Sequence, residues 1–393
     1  MMLSSQVKGF LENASWIRRM FEIGHELKKK YGYQNVFDFT LGNPDLPPPA
    51  DFKKHLIEEA SKDEPFIHGY MSNAGYEDTR EAIAKNLSNE LDMDFNKKNI
   101  IMTCGAAGGM NVILRAILNP GDKVVILSPY FVEYKFYILN HQGQVVISET
   151  DETFLPNIED LDKKIDDRTK AIIINTPNNP TGRVYEDMIL IDLGDLLLKK
   201  SKEFGKPIYL LSDEPYKRIV YSDHKFYPPI KYYRNTMIVN SFSKDLSIPG
   251  ERIGYIAMPP DLDGVREIIE ACVLCNRILG FINAPAIMQR VIKNLLNSLV
   301  DVNLYMKRRD IFYNSLIEMG YKVIKPGGTF YMFPESPIKD DIEFSKILMN
   351  EQVLVTPGSG FGRKGYFRIS YCQDEKIILK SLERFYSAIK KVE

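Results

Sequence analysis

From residue 99 the chain alternates between short apolar runs and longer stretches in which apolar positions recur at helical spacing. The runs 99–103, 123–127, 144–148, 171–174, 207–211, 237–239 and 253–258 read as strands. Helical patterns at 109–118, 132–140, 158–165 and 186–204 lie between most of them. Runs apolar on both faces and separated by helices predict a mostly parallel sheet of seven strands, covered on each side: an α/β fold. The last two runs are joined by a short link, so one strand is open to an antiparallel direction.

Before this body, residues 6–30 carry a helical pattern through Val7, Phe10, Leu11, Ile17, Met20, Phe21 and Leu27, with Gly32 as its stop. A short strand at 36–41 runs into Gly42-Asn43-Pro44-Asp45-Leu46 and three prolines, which forbid regular structure. Residues 61–75 are polar and loop-like around Tyr70, and 77–91 form an amphipathic helix. Helices dominate 262–319. Strand-like runs at 321–324, 329–333, 353–355 and 366–370 and a helix at 374–390 then predict a smaller α+β unit. The division expected is 1–45 with the smaller unit, 46–280 as the large α/β domain, and 281–393 as the rest of the smaller one.

Composition narrows the partners. With 393 residues, 26% charged, 44% hydrophobic and a formal net charge of −1, nothing favours nucleic acid or an anionic membrane. No apolar run approaches the ~20 residues that span a bilayer, and the first residues lack an apolar signal core. A cytoplasmic protein is expected. Four cysteines do not make a disulfide framework. Cys272 and Cys275 form a lone C-x-x-C inside a helical pattern without a second ligand pair, so a buried helix face outweighs a metal site. The five histidines are scattered without metal-ligand spacing.

The chemistry gathers where strands end. Open parallel sheets bind ligands beyond the carboxyl ends of their strands, and there the polar residues fall in order. Thr103-Cys104-Gly105-Ala106-Ala107-Gly108 opens a helix and offers free backbone N–H groups to an anion. Ser128-Pro129-Tyr130, then Asn175 to Gly182 (with Asn179-Pro180-Thr181-Gly182), then Asp213-Glu214-Pro215-Tyr216 follow. Last comes Ser241-Phe242-Ser243-Lys244, with Arg252 shortly after. A lysine delivered by a buried strand is costly unless it is paired or deprotonated. A Schiff base with an aldehyde cofactor is one use for such an amine.

This set resembles the class I/II aminotransferases, the fold-type I enzymes dependent on pyridoxal 5′-phosphate, over essentially the whole chain. The resemblance implies that Lys244 carries the cofactor as a Schiff base and acts as general base. It assigns Asp213 to the pyridine nitrogen, Asn179 and Tyr216 to the phenolic oxygen, and Tyr130 to the ring face. Gly105, Ala106, Ala107, Ser241, Ser243 and Arg252 would form the phosphate seat. Tyr70 would reach the phosphate of a neighbouring subunit, implying a homodimer. Gly42, Asn179 and Arg368 would border the substrate, with Arg368 clamping its α-carboxylate in a fork-like grip. Thr79 stands where the family carries a leucine before an arginine, a difference of helix packing.

The implied reaction is ping-pong transfer of an amino group between an L-amino acid and a 2-oxo acid. A C–S β-lyase on the same fold would need almost the same residues. Ser241-x-x-Lys244 also fits a penicillin-binding acyl-enzyme, but the Ser-Asp-Asn and Lys-Thr-Gly that those enzymes require are missing. Substrate choice stays open at this level. Arg18, Arg277 and His68 are candidate cations for a second carboxylate, while Tyr33, Phe37, Phe39, Phe281 and Tyr331 suit an aromatic or large apolar side chain equally well.

Overall fold

A computed structural model describes residues 3–392; the side chains of residues 12–22 and of residue 25, Trp16 and Arg18 among them, lie outside the description. Seven strands form the large sheet. From edge to edge they are Ile100–Thr103, Gly254–Ala257, Thr236–Ser241, Tyr209–Asp213, Thr169–Asn175, Lys123–Ser128 and Gln144–Glu149. Only Gly254–Ala257 runs antiparallel to its neighbours; the other six point the same way. The connection 242–253, which carries the Lys244 turn, holds no α-helix to cross over the sheet, so the chain reverses direction into Gly254–Ala257.

Strand periodicity shows why both faces are covered. Val124, Ile126, Ala171 and Ile173 join one apolar cluster with helix Gly105–Ile117. Their alternates Val125, Leu127, Ile172 and Ile174 join another with helix Asp187–Phe204. At the other edge Ile100 and Met102 pack with helix Glu77–Leu91. That helix is also anchored by Thr79, whose hydroxyl donates to the Gln289 carbonyl at 3.1 Å.

The smaller unit is built on helices Val302–Glu318 and Glu375–Lys390 and a three-stranded antiparallel sheet of Thr356–Pro357, Phe367–Ser370 and Tyr331–Met332. Phe37 and Phe39 share its apolar cluster with Phe312, Phe330 and Phe385. Ala284, Met288, Val291 and Leu295 instead pack in the cluster of helix Glu77–Leu91. Packing therefore divides the chain nearer residue 300 than residue 280. Helix Ser5–Tyr31 touches both parts, with Phe10 edge-on to Phe136 and Lys28 paired with Asp38 at 2.6 Å.

Several expectations shift. The strand at 36–41 shrinks to Phe37–Asp38, paired with Val353–Leu354. No strand forms at 321–324, where the backbone has no ladder partner and Lys322 accepts a single bond from the Glu335 N–H. Two helices went unread. Ala50–Ala60 follows a proline run that masks its start, and Asp341–Asn350 is capped by the Asp340 carboxylate, which accepts from Ile342 and Glu343 N–H. Among the described residues no helix is long and apolar enough to cross a membrane, and no acid, histidine and cysteine group could hold a metal.

One glycine couples this framework to the site. At Gly254 a Cβ would collide with the Asn240 carbonyl and lie 3.0 Å from Gly105 Cα. Gly254→Ala is expected to lower stability by about 1–3 kcal/mol in urea unfolding of the apoprotein. An unchanged midpoint would show that the strands have room to part.

Candidate active site

Six strands pointing one way bring their C-terminal residues to one edge, and a cavity of about 300 Å³ opens there. Lys244 projects into it from the turn after Thr236–Ser241. The turn is held from behind. Phe242 packs in an apolar cluster, the Asn240 amide donates to Tyr255 hydroxyl at 2.9 Å, and Asp245 accepts from Arg218 at 3.2 Å and offers its carbonyl to Val300 N–H. Residues 241, 243 and 244 thus face the cavity while 240, 242 and 245 fix the turn to the body.

The Lys244 amine donates to the Gly42 carbonyl at 2.8 Å and lies 5.7 Å and 5.9 Å from the centroids of Phe330 and Tyr216. Burial lowers its pKa to about 8; the nearby Cys372 thiol opposes that shift, and the Arg368 and Arg252 charges add to it. Gly42 must be glycine, because a Cβ would sit on the Tyr331 hydroxyl.

Arg252 occupies left-handed backbone (φ 52°, ψ 49°), held by its own guanidinium donating to the Pro249 carbonyl at 2.9 Å. Gly105, with φ 71°, opens helix Gly105–Ile117, and a Cβ there would meet Arg252 Nη2 at 2.8 Å. The glycine lets a guanidinium approach a helix N-terminus whose first N–H groups lack intrahelical partners. Ala106, Ala107, Ser241 and Ser243 line the same end. Positive charge, oriented N–H groups and hydroxyls make this an anion seat.

Opposite lies Asp213, the last residue of its strand and 8% exposed. Its Oδ2 accepts from the Tyr134 hydroxyl, and its Oδ1 is buried without a hydrogen-bond partner. Burial raises this carboxyl to about 7, against the pull of the Tyr134 hydrogen bond. Asn175 fixes the neighbouring backbone, donating to the Asp213 carbonyl at 2.8 Å and accepting from Asn179 N–H at 2.7 Å. The Tyr216 hydroxyl meets Tyr331 hydroxyl at 3.0 Å, and burial lifts its phenol pKa well above 10, so the group stays neutral.

Arg368 is buried between the rings of Tyr331 and Phe361, 4.6 Å and 4.7 Å from their centroids. Its hydrogen bonds go to Asn179 Oδ1 at 2.9 Å and the Thr40 carbonyl at 2.5 Å, and its Nε has no partner. A guanidinium satisfied by neutral oxygens alone still favours an anion.

The cavity thus brings together Gly42, Ala106, Ala107, Asn179, Asp213, Tyr216, Ser241, Ser243, Lys244, Arg252 and Arg368. Gly105 adjoins it through Arg252. Two expected residues fall elsewhere. Tyr130 does not line the cavity: its ring lies against Gly362 and its N–H bonds the Phe361 carbonyl, while the next residue, Phe131, forms the wall. Tyr70 does not line it either and is 93% exposed. Sequence reasoning missed Phe131 and Tyr134. The aromatic spacing Tyr130, Phe131, Tyr134 and Tyr137 at the start of helix Glu133–Asn140 was the available signal.

The comparisons with known proteins bear on the same geometry. The sequence model of the family described as "Aminotransferase class I and II" matches residues 34–385. A probable aspartate aminotransferase of Methanocaldococcus jannaschii is 31% identical over 396 residues, covering 97% of this chain and 98% of the relative. A probable aspartate/prephenate aminotransferase of Aquifex aeolicus is 32% identical, covering 91% and 92%. Among solved structures, an aminotransferase from Eubacterium rectale superposes with a TM-score of 0.96 at 37% identity over 100% of both chains. The aspartate aminotransferase of Thermus thermophilus with maleate gives 0.84 at 28% identity, over 95% of this chain and 96% of that one. A lysine flanked by an anion seat, a buried acid and a buried arginine, in a chain matched along nearly its whole length, places this protein in the class I and II aminotransferase family.

Proposed function

We propose that this aminotransferase works with pyridoxal 5′-phosphate bound to Lys244, moving an amino group between an L-amino acid and a 2-oxo acid in two half-reactions at one site. The observation that carries the reading is the desolvated Lys244 amine, set between an anion seat and a buried arginine. The residues fit the cofactor's separate groups. Arg252, Ser241, Ser243 and the N–H groups of Gly105, Ala106 and Ala107 would hold its phosphate. The unsatisfied oxygen of Asp213 supports its role opposite the pyridine nitrogen. Asn179 and Tyr216 would bond the phenolic oxygen, and Phe131, rather than Tyr130, would lie on the ring face. When bound, the cofactor supplies an electron sink for the pair left at the substrate Cα.

The chain's own groups do the rest. Arg368 grips the substrate α-carboxylate, replacing neutral partners with a charged one. The Lys244 amine would take the Cα proton as general base and give it back as general acid. Asp213 would hold a negative charge opposite the pyridine nitrogen, and a positive charge there would lower its carboxyl from the raised value. A lyase could use the same groups, but the named relatives are transferases, which favours amino-group transfer over elimination. The exposure of Tyr70 supports a role outside its own cavity, at the phosphate of a second copy in a homodimer.

Lys244→Ala should abolish multiple-turnover transamination, by about 10³-fold or more, with an unchanged circular dichroism spectrum; surviving turnover contradicts the assignment. Loading of the apoprotein should report the amine directly. Because its pKa is lowered, the neutral fraction grows about tenfold per pH unit below 8 and levels above it. Rates of absorbance change after adding the aldehyde should therefore plateau near pH 8 to 9. A climb continuing to pH 10.5 would mean a hydrated lysine. Sedimentation velocity should give a dimer, with Tyr70→Phe releasing cofactor about tenfold faster on dialysis; a monomer of full activity would remove Tyr70 from the site.

A further inference from the structure

We propose that Tyr331 is a positioning residue for Tyr216, its hydroxyl donating to the Tyr216 oxygen and so committing the Tyr216 proton to the phenolic oxygen of the cofactor. The inference rests on the functional reading above, which sets Tyr216 at that oxygen. The two hydroxyls lie 3.0 Å apart, both rings are buried, and both residues line the cavity. Distance alone allows either oxygen to donate. Burial raises both phenols above their usual range, so each brings one proton, and one bond between them uses one of the two.

Proton counting decides the direction. An ionised phenolic oxygen can only accept, so Tyr216 must donate to it. Its single proton is then spent, and the bond between the tyrosines must run from Tyr331 to Tyr216. The reverse direction would set the lone pairs of Tyr216 against those of the cofactor oxygen. Asn179 fits the same pattern: its Oδ1 accepts from Arg368 at 2.9 Å, which leaves its NH2 group to donate. The Arg368 guanidinium, 4.6 Å from the Tyr331 ring centroid, works against the rise that burial gives this phenol, which makes the Tyr331 hydroxyl a better donor.

The fold holds the Tyr331 hydroxyl in place. The Tyr331 N–H donates to Thr329 Oγ1 at 3.0 Å, and Ser370 is its ladder partner on the neighbouring strand. The Tyr216 ring stands edge-on to the Tyr331 ring, with centroids 5.7 Å apart at 77°. The hydroxyl lies against Gly42, where a Cβ would come within 1.6 Å of it. Glycine at 42 therefore lets the phenol reach Tyr216, while the Gly42 carbonyl accepts from the Lys244 amine at 2.8 Å. Tyr331 belongs to the smaller unit and Tyr216 follows the strand Tyr209–Asp213. A residue of the smaller unit thus orients a hydroxyl carried by the large sheet.

The test is a pH titration of the holoenzyme, read by the visible absorbance of the bound cofactor rather than by turnover. A donor at the phenolic oxygen stabilises its negative charge, so the cofactor loses its proton at lower pH. Tyr331→Phe should weaken that donation and raise the midpoint by about half a pH unit or more, and Tyr216→Phe should raise it further. In the Tyr216→Phe background, adding Tyr331→Phe should move the midpoint by less than about 0.3 unit, because the residue through which Tyr331 acts is already gone. A smaller rise or a fall in Tyr331→Phe alone, or a larger shift in the Tyr216→Phe background, overturns the proposal and leaves the cofactor reading standing. If circular dichroism shows Tyr331→Phe unfolded, Tyr331→Met removes the donor with a flexible side chain and must give the same rise. A protein that takes up no cofactor overturns the functional reading, and this proposal with it.

Discussion

The site depends on one unfavourable placement, an amine held away from bulk water at the end of a buried strand. Moving a lysine pKa to about 8 disfavours its ammonium by about 3 kcal/mol. That cost is borne by the large sheet, whose neighbours leave the Lys244 turn little freedom. Arg218 and Val300 grip Asp245, Tyr255 holds Asn240, and Phe242 is locked in an apolar cluster. A floppy turn would let the lysine swing into water and regain its ordinary basicity. Rigidity behind the turn and reactivity in front of it are the same fact seen from two sides.

The rest of the site follows from where the strands stop. Asn175, Asp213 and Ser241 are the last residues of three adjacent parallel strands, and Gly105 opens the helix after a fourth. Their order across the sheet sets the order of functions across the cavity, from anion seat through amine to acid. The smaller unit closes the arrangement by delivering Arg368 and Tyr331. Glycines are placed where backbones meet: Gly254 between two strands, Gly42 under Tyr331.

Much of this was legible in the chain. The alternation of apolar runs and helical patterns gave the seven strands, and the connection without a helix between the last two left one strand open to the antiparallel direction it takes. Strand-terminal polar residues gave most of the cavity. What stayed hidden depended on tertiary contacts. Choosing between Tyr130 and Phe131 needs the direction of two adjacent side chains, which no periodicity settles just after a proline. Tyr134 gains its importance only by reaching Asp213, 79 positions away in sequence. The run 321–324 has strand-like composition, but composition does not supply a pairing partner. Helix Asp341–Asn350 shows the reverse: its aspartate cap was present in the sequence, and the pattern behind it was too short to stand out.

Trapping the cofactor on the protein tests the central claim most directly. Borohydride reduction of the holoenzyme followed by peptide mass spectrometry should place a single pyridoxyl adduct on Lys244. Adduct on another lysine, or none with cofactor still bound, would contradict the account and detach the geometry of this turn from the chemistry assigned to it.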